Sequence, residues 1–134
     1  MGRKISDSLG RRAIAAWLAY QADRDAKACA VRYSLQVLTE RHPGQAVEVR
    51  VPPFGAVQIG VGTVHRRGTP PAVVEMDTDT WLALACGNIS WKQVVVDGQI
   101  NATGVGSDLS AYLPVFSAPS ALSEPVSAPS KRCH

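Results

Sequence analysis

Between Pro71 and Phe116 the hydrophobic period switches from strand-like to helical and back, and each switch falls on a residue that caps or breaks an element. Ala72 to Met76 is short and rich in β-branched residues, which predicts a strand. Asp77, Thr78 and Asp79 follow, each able to cap a helix by accepting from a free backbone N–H. Trp81, Leu84 and Ala85 then fall at helical spacing, and Gly87-Asn88 supplies a stop. Trp91, Val94 and Val95 repeat the i, i+3, i+4 pattern up to Asp97-Gly98. From Gln99 the period becomes two: Ile100, Ala102 and Gly104 alternate with Gln99, Asn101 and Thr103, as in a strand with one wet face. A closing helix is expected over the run DLSAYLPV.

Upstream, Ser6 or Asp7 can cap a first helix running to about Tyr20, with Ile14, Trp17, Leu18 and Gln21 on one face. Asp23 or Asp25 can start a second helix, whose apolar stripe is Ala26, Cys29, Ala30, Tyr33, Val37 and Leu38. It ends at His42-Pro43-Gly44, because a proline disfavours helical geometry at the residue before it. Val47, Val49 and Val51 alternate with Glu48 and Arg50, and Val57, Ile59 and Val61 form a second alternating run. Pro52-Pro53-Phe54-Gly55 joins them as a turn, which makes an antiparallel hairpin. Gly60 and Gly62 admit a bulge or the close approach of another backbone, and Thr63 to Arg66 reads as a third short strand. Amphipathic helices around a small sheet define an α+β fold: about four to five strands, mainly antiparallel or mixed, covered by helices.

The ordered set Asp77, Trp81, Leu84, Gly87, Val94, Gly98, Ile100, Gly104 and Leu109 resembles the C-terminal half of the sterol-carrier-protein family, the non-specific lipid-transfer superfamily. The runs RVPPFGAVQ, RGTPP, TWLALACG and DLSAYLPV are similar to its small stand-alone bacterial members. The resemblance implies a sterol-carrier-like domain over residues 1–116. It also implies an elongated apolar pocket between helices and sheet for an acyl chain or sterol, with the last helix as its cover.

Residues 117–134 are mostly Ser, Ala and Pro without periodicity, the composition of a disordered tail. A chain of 134 residues holds one domain with one modest core. Its net stability is expected to be about 5–15 kcal/mol. An empty apolar void of ~300 Å³ would cost ~7 kcal/mol at ~24 cal/mol per Å³, so any lipid pocket must be narrow, filled or collapsible.

The net charge of +3 is spread out, densest at Arg3, Lys4, Arg11 and Arg12, with Arg66-Arg67 as a second group. No aromatic residues interleave with these to make a nucleic-acid platform, so no nucleic-acid partner is expected. A solvated helix face or a transient membrane-surface contact fits them. No run approaches the ~20 apolar residues of a membrane span, and the polar N-terminus lacks the apolar core of a signal peptide. Cys29, Cys86 and Cys133 are odd in number and far apart, which favours reduced thiols in a cytoplasmic protein.

Chemistry has little to build on. His42, His65 and His134 lack metal-ligand spacing, and Cys29 and Cys86 sit in apolar helices as small hydrophobes. Glu75, Asp77 and Asp79 fit capping better than cation binding, and Gly104 and Gly106 do not build a phosphate loop. No catalytic residue, metal or cofactor is expected, and no enzymatic activity. Trp81, Leu84, Trp91, Val94, Val95, Leu109, Tyr112 and Leu113 are the apolar residues expected to face the sheet. Core packing explains most of them, and on the resemblance Trp81, Leu84, Trp91, Val94, Val95, Leu109 and Tyr112 line the lipid pocket. At about 0.8 kcal/mol per methylene, a chain of a dozen methylenes gains ~10 kcal/mol, comparable to association costs of ~4–15 kcal/mol. The expected function is non-catalytic binding of an acyl or sterol-like molecule. The alternatives are a solid-core interaction or dimerisation module, and an accessory domain for a separate enzyme. The oligomeric state stays open.

Overall fold

The computed structural model describes residues 4–61, 72–104 and 106–116. The strand expected over Thr63 to Arg66 and the tail expected over residues 117–134 lie outside these.

Local sequence sets the start of every helix. Ser6 caps α1 (Asp7–Leu18), accepting from the Leu9 N–H at 3.2 Å. Asp23 caps α2 (Arg24–Arg41) and accepts from Ala26 N–H at 2.8 Å. Asp77 caps α3 (Thr78–Ala85), at 2.7 Å from Thr80 N. Ser90 caps α4 (Trp91–Asp97), at 3.1 Å from Gln93 N. Each side-chain oxygen satisfies an N–H that has no partner within its own helix. Gly98 closes α4 at φ 70°, a left-handed conformation that glycine reaches without steric cost.

The strands β1 (Val47–Val51), β2 (Gly55–Ile59), β3 (Ala72–Met76) and β4 (Ile100–Thr103) form one mixed sheet in the order β2-β1-β3-β4. The first two make the expected antiparallel hairpin, with Val49 opposite Val57 and Val47 opposite Ile59. On the other side of β1, β3 runs parallel, aligning Val49 with Val74 and Val47 with Ala72. β4 pairs antiparallel with β3 after the α3–α4 excursion. The period of two puts Val47, Val49, Val51, Ala72, Val74 and Met76 on the buried face, while Glu48 and Arg50 pair on the other at 3.0 Å. The helices cover the buried face: α1 packs on α2, and α2 on β2 and α3. The result is the expected α+β class.

Three expectations change. The α1 helix stops at Leu18, and Tyr20 takes φ 58°. Its buried residues are Gly10, Ala13 and Ile14, while Gln21 is exposed. Small residues let α1 approach α2, so the contact face includes positions that hydrophobic periodicity passes over. Val61 does not extend β2 but is 89% exposed. Gly60 ends the strand at φ 83° and accepts a close backbone instead: its N–H donates to His42 O at 2.9 Å, and its carbonyl accepts from Ala46 N at 3.1 Å. The closing helix shrinks to one 3-10 turn, Ser110–Tyr112. Pro114 holds Leu113 extended at φ −114°, ψ 150°. Beyond it the chain becomes a strap: the Val115 and Phe116 N–H groups both donate to Ala85 O, at 3.0 and 2.9 Å. Arg41 Nη1 donates to Val115 O, and the Phe116 ring stacks on Tyr33 with centroids 6.0 Å apart.

Candidate ligand site

The residues expected to line a lipid pocket divide into two groups. Trp81, Leu84, Val94 and Leu109 are at most 1% exposed and belong to one continuous core. Trp91, Tyr112 and Leu113 are half-buried against it. Val95 lies apart, 49% exposed on α4 beside the still more exposed Val96. Successive helix residues turn by about 100°, and this seven-residue helix buries only Val94.

The polar atoms inside the core are matched. The Trp81 indole N–H donates to Ser34 Oγ at 2.8 Å, and that hydroxyl lies 2.8 and 2.9 Å from the Ala30 and Val31 carbonyls of the preceding turn. Among the described residues no buried side-chain nitrogen or oxygen lacks a partner. Trp81 is therefore pinned by its polar edge as well as by packing.

Open space occurs elsewhere. A cleft of about 400 Å³ lies where the α1–α2 connection meets the start of α3, lined by Trp17, Leu18, Tyr20, Ala22, Lys27, Asp79 and Asn88. Its wall is Trp17, Leu18, Ala22 and the exposed Tyr20. Its polar side is organised around Asp79 Oδ1, which accepts from Trp17 Nε1 at 2.9 Å and meets Lys27 Nζ at 3.5 Å. Being open to solvent, this space carries none of the cost of a dry internal void. In the sequence Trp17 and Leu18 read as helix stripe, Asp79 as a capping residue and Asn88 as part of a stop. The only local trace of the cleft is the crowding of Trp17, Leu18 and Tyr20 at a helix end.

Cys86 is a free, buried thiol pushed up to about 11 by burial, so it stays protonated at neutral pH. Cys29 is buried in α2 with its Sγ 3.9 Å from Leu9 O, and Cys133 lies outside the described residues. His42 packs edge-on to the Tyr112 ring with centroids 5.0 Å apart. Among the described residues no three His, Cys, Asp or Glu side chains gather as metal ligands, and no helix is long and apolar enough to cross a membrane.

Comparison with known proteins places the chain. No curated protein matches it significantly. A family model described as "Bacterial SCP ortholog" matches residues 23–115, which takes in α2, the whole sheet, α3, α4 and most of the strap but not α1. More than half of the sequence is covered, with the capped helices and breakers in the order read from the sequence, and the chain belongs to the bacterial sterol-carrier-protein family.

Proposed function

We propose that this protein binds an apolar small molecule of the acyl or sterol-like class non-covalently and carries it without any chemical step. Membership of the sterol-carrier-protein family across residues 23–115 carries the reading. Two features support it: an open cleft with an apolar wall, and a described free thiol held protonated rather than poised as a nucleophile. Binding is driven by desolvation and shape. Each methylene removed from water contributes about 0.8 kcal/mol, and a preformed site lowers the ordering cost. On this reading Trp81, Leu84, Val94 and Leu109 form the packed floor of the ligand layer. Trp91 and Tyr112 stand at its edge, and Val95 contacts the ligand or a membrane surface from outside. No cofactor, metal or nucleic acid takes part.

The competing reading is a solid-core interaction or dimerisation module, which exposed Val95 and Val96 on α4 favour. Native mass spectrometry of gently purified protein, with organic extraction of anything bound, separates the two. A stoichiometric acyl or sterol-like mass is the expected result. A clean apo mass with no uptake from a lipid mixture would sink the carrier reading and leave the interaction module.

A further inference from the structure

We infer that the ligand's polar end is held in the cleft between the α1–α2 connection and α3, and that the cleft selects a neutral, hydroxyl-bearing amphiphile over an anionic acyl chain. The inference rests on the carrier reading and adds where the ligand sits and which headgroup it carries. At about 400 Å³ the cleft falls within the ~300–1,000 Å³ usual for small-molecule sites. Its lining separates by chemistry: Trp17, Leu18, Tyr20 and Ala22 offer apolar surface, while Lys27, Asp79 and Asn88 offer donors and acceptors.

The charges decide the headgroup. Among the described residues Lys27 and Asp79 are the only charged ones lining the cleft, and they face each other at 3.5 Å, so the described lining is formally neutral. Trp17 Nε1 and Lys27 Nζ both address Asp79 Oδ1, which leaves Oδ2 for an incoming donor. The Lys27 ammonium has three N–H donors and meets Asp79 as an ion pair at 3.5 Å. A hydroxyl has one donor and two acceptor lone pairs. Set between the two side chains, it donates to Asp79 and accepts from Lys27, and both stay compensated. A carboxylate only accepts, and placing it there sets a second negative charge beside Asp79. A cationic amine meets the same difficulty with Lys27. The Trp17 indole is clamped by its bond to Asp79, so its ring face is preset for the ligand's apolar part. Trp17, Leu18, Tyr20 and Ala22 precede the segment that matches the family, so this half of the cleft belongs to the chain's own N-terminal helix and connection.

Titration calorimetry with decanol and with decanoate tests the inference. The wild-type protein should take up decanol at least about tenfold more tightly, the size expected when one charged group is left without a partner. Asp79→Asn keeps an oxygen acceptor for Trp17 and removes the negative charge, so decanoate should gain about tenfold relative to decanol. Ala22→Trp fills the cleft from the connection between helices and should abolish decanol uptake, with an unchanged circular dichroism spectrum showing that the fold survives. Equal affinity for the two probes in the wild type, or unchanged uptake by Ala22→Trp, would overturn the inference while leaving the carrier reading standing. Uptake of neither probe, together with a clean apo mass from the lipid mixture, would overturn both.

Discussion

At the scale of single residues, one helix crossing depends on the absence of a side chain at Gly10. A Cβ on Gly10 would lie 2.1 Å from Cγ of Tyr33, at the root of a ring held by its stack on Phe116 and by its hydroxyl bond to Asp7 at 2.9 Å. The ring has no free direction in which to yield, so α1 would have to lift from α2. Alanine gains about 1 kcal/mol over glycine in helix propensity, and overpacking costs about 1–3 kcal/mol. Gly10→Ala is therefore expected to lower stability by up to about 2 kcal/mol in urea denaturation. An increase would show that the crossing is looser than the structure has it.

Cys86 gives a second residue-scale prediction. Its thiol titrates near 9.0 when unfolded and is raised to about 11 when folded, because burial penalises the thiolate. Below the unfolded value both states hold the proton and the folded state loses nothing. Above it the unfolded chain ionises first, so stability falls as pH rises from about 9 to about 11, by up to about 3 kcal/mol. Urea midpoints at about pH 8 and about pH 11 should show a smaller alkaline loss in Cys86→Ala than in the wild type. An equal loss would move the effect to other groups, such as Tyr33, which burial also raises.

At the scale of elements, the strap shows how a proline redirects a segment. The run DLSAYLPV has apolar residues at helical spacing, yet Leu113 is extended and the chain hooks onto the C-terminus of α3. That hook gives Ala85 O two donors at a helix end, where carbonyls lack partners in their own helix. Arg41, in the last turn of α2, ties the same strap from the other side. Arg41→Met keeps the aliphatic stem and removes the donor. Amide exchange at Val115 and Phe116 should then speed by about fivefold, matching a lost bond of about 1 kcal/mol at an exposed side chain. Unchanged exchange would mean that Ala85 and the Phe116–Tyr33 stack hold the strap alone.

At the scale of the whole molecule, the sequence by itself determined what depends on near neighbours in the chain. Ser6, Asp23 and Asp77 announce helix starts because capping joins residues three apart. The valines of β1 and β3 announce a buried sheet face because the strand period is local. The order of such signals was enough for the α+β class and for the family. Only the tertiary structure decided which strands lie together: β1 finds β3 in parallel, and no turn between them specifies that pairing. It alone decided that Gly10 is a contact residue, since hydrophobic periodicity scores side chains and glycine has none. The same holds for the cleft, where Trp17 meets Asp79 across 62 positions of sequence. A site of that kind exists only once α1 has docked, because its apolar wall and its charged pair belong to elements that the sequence keeps apart.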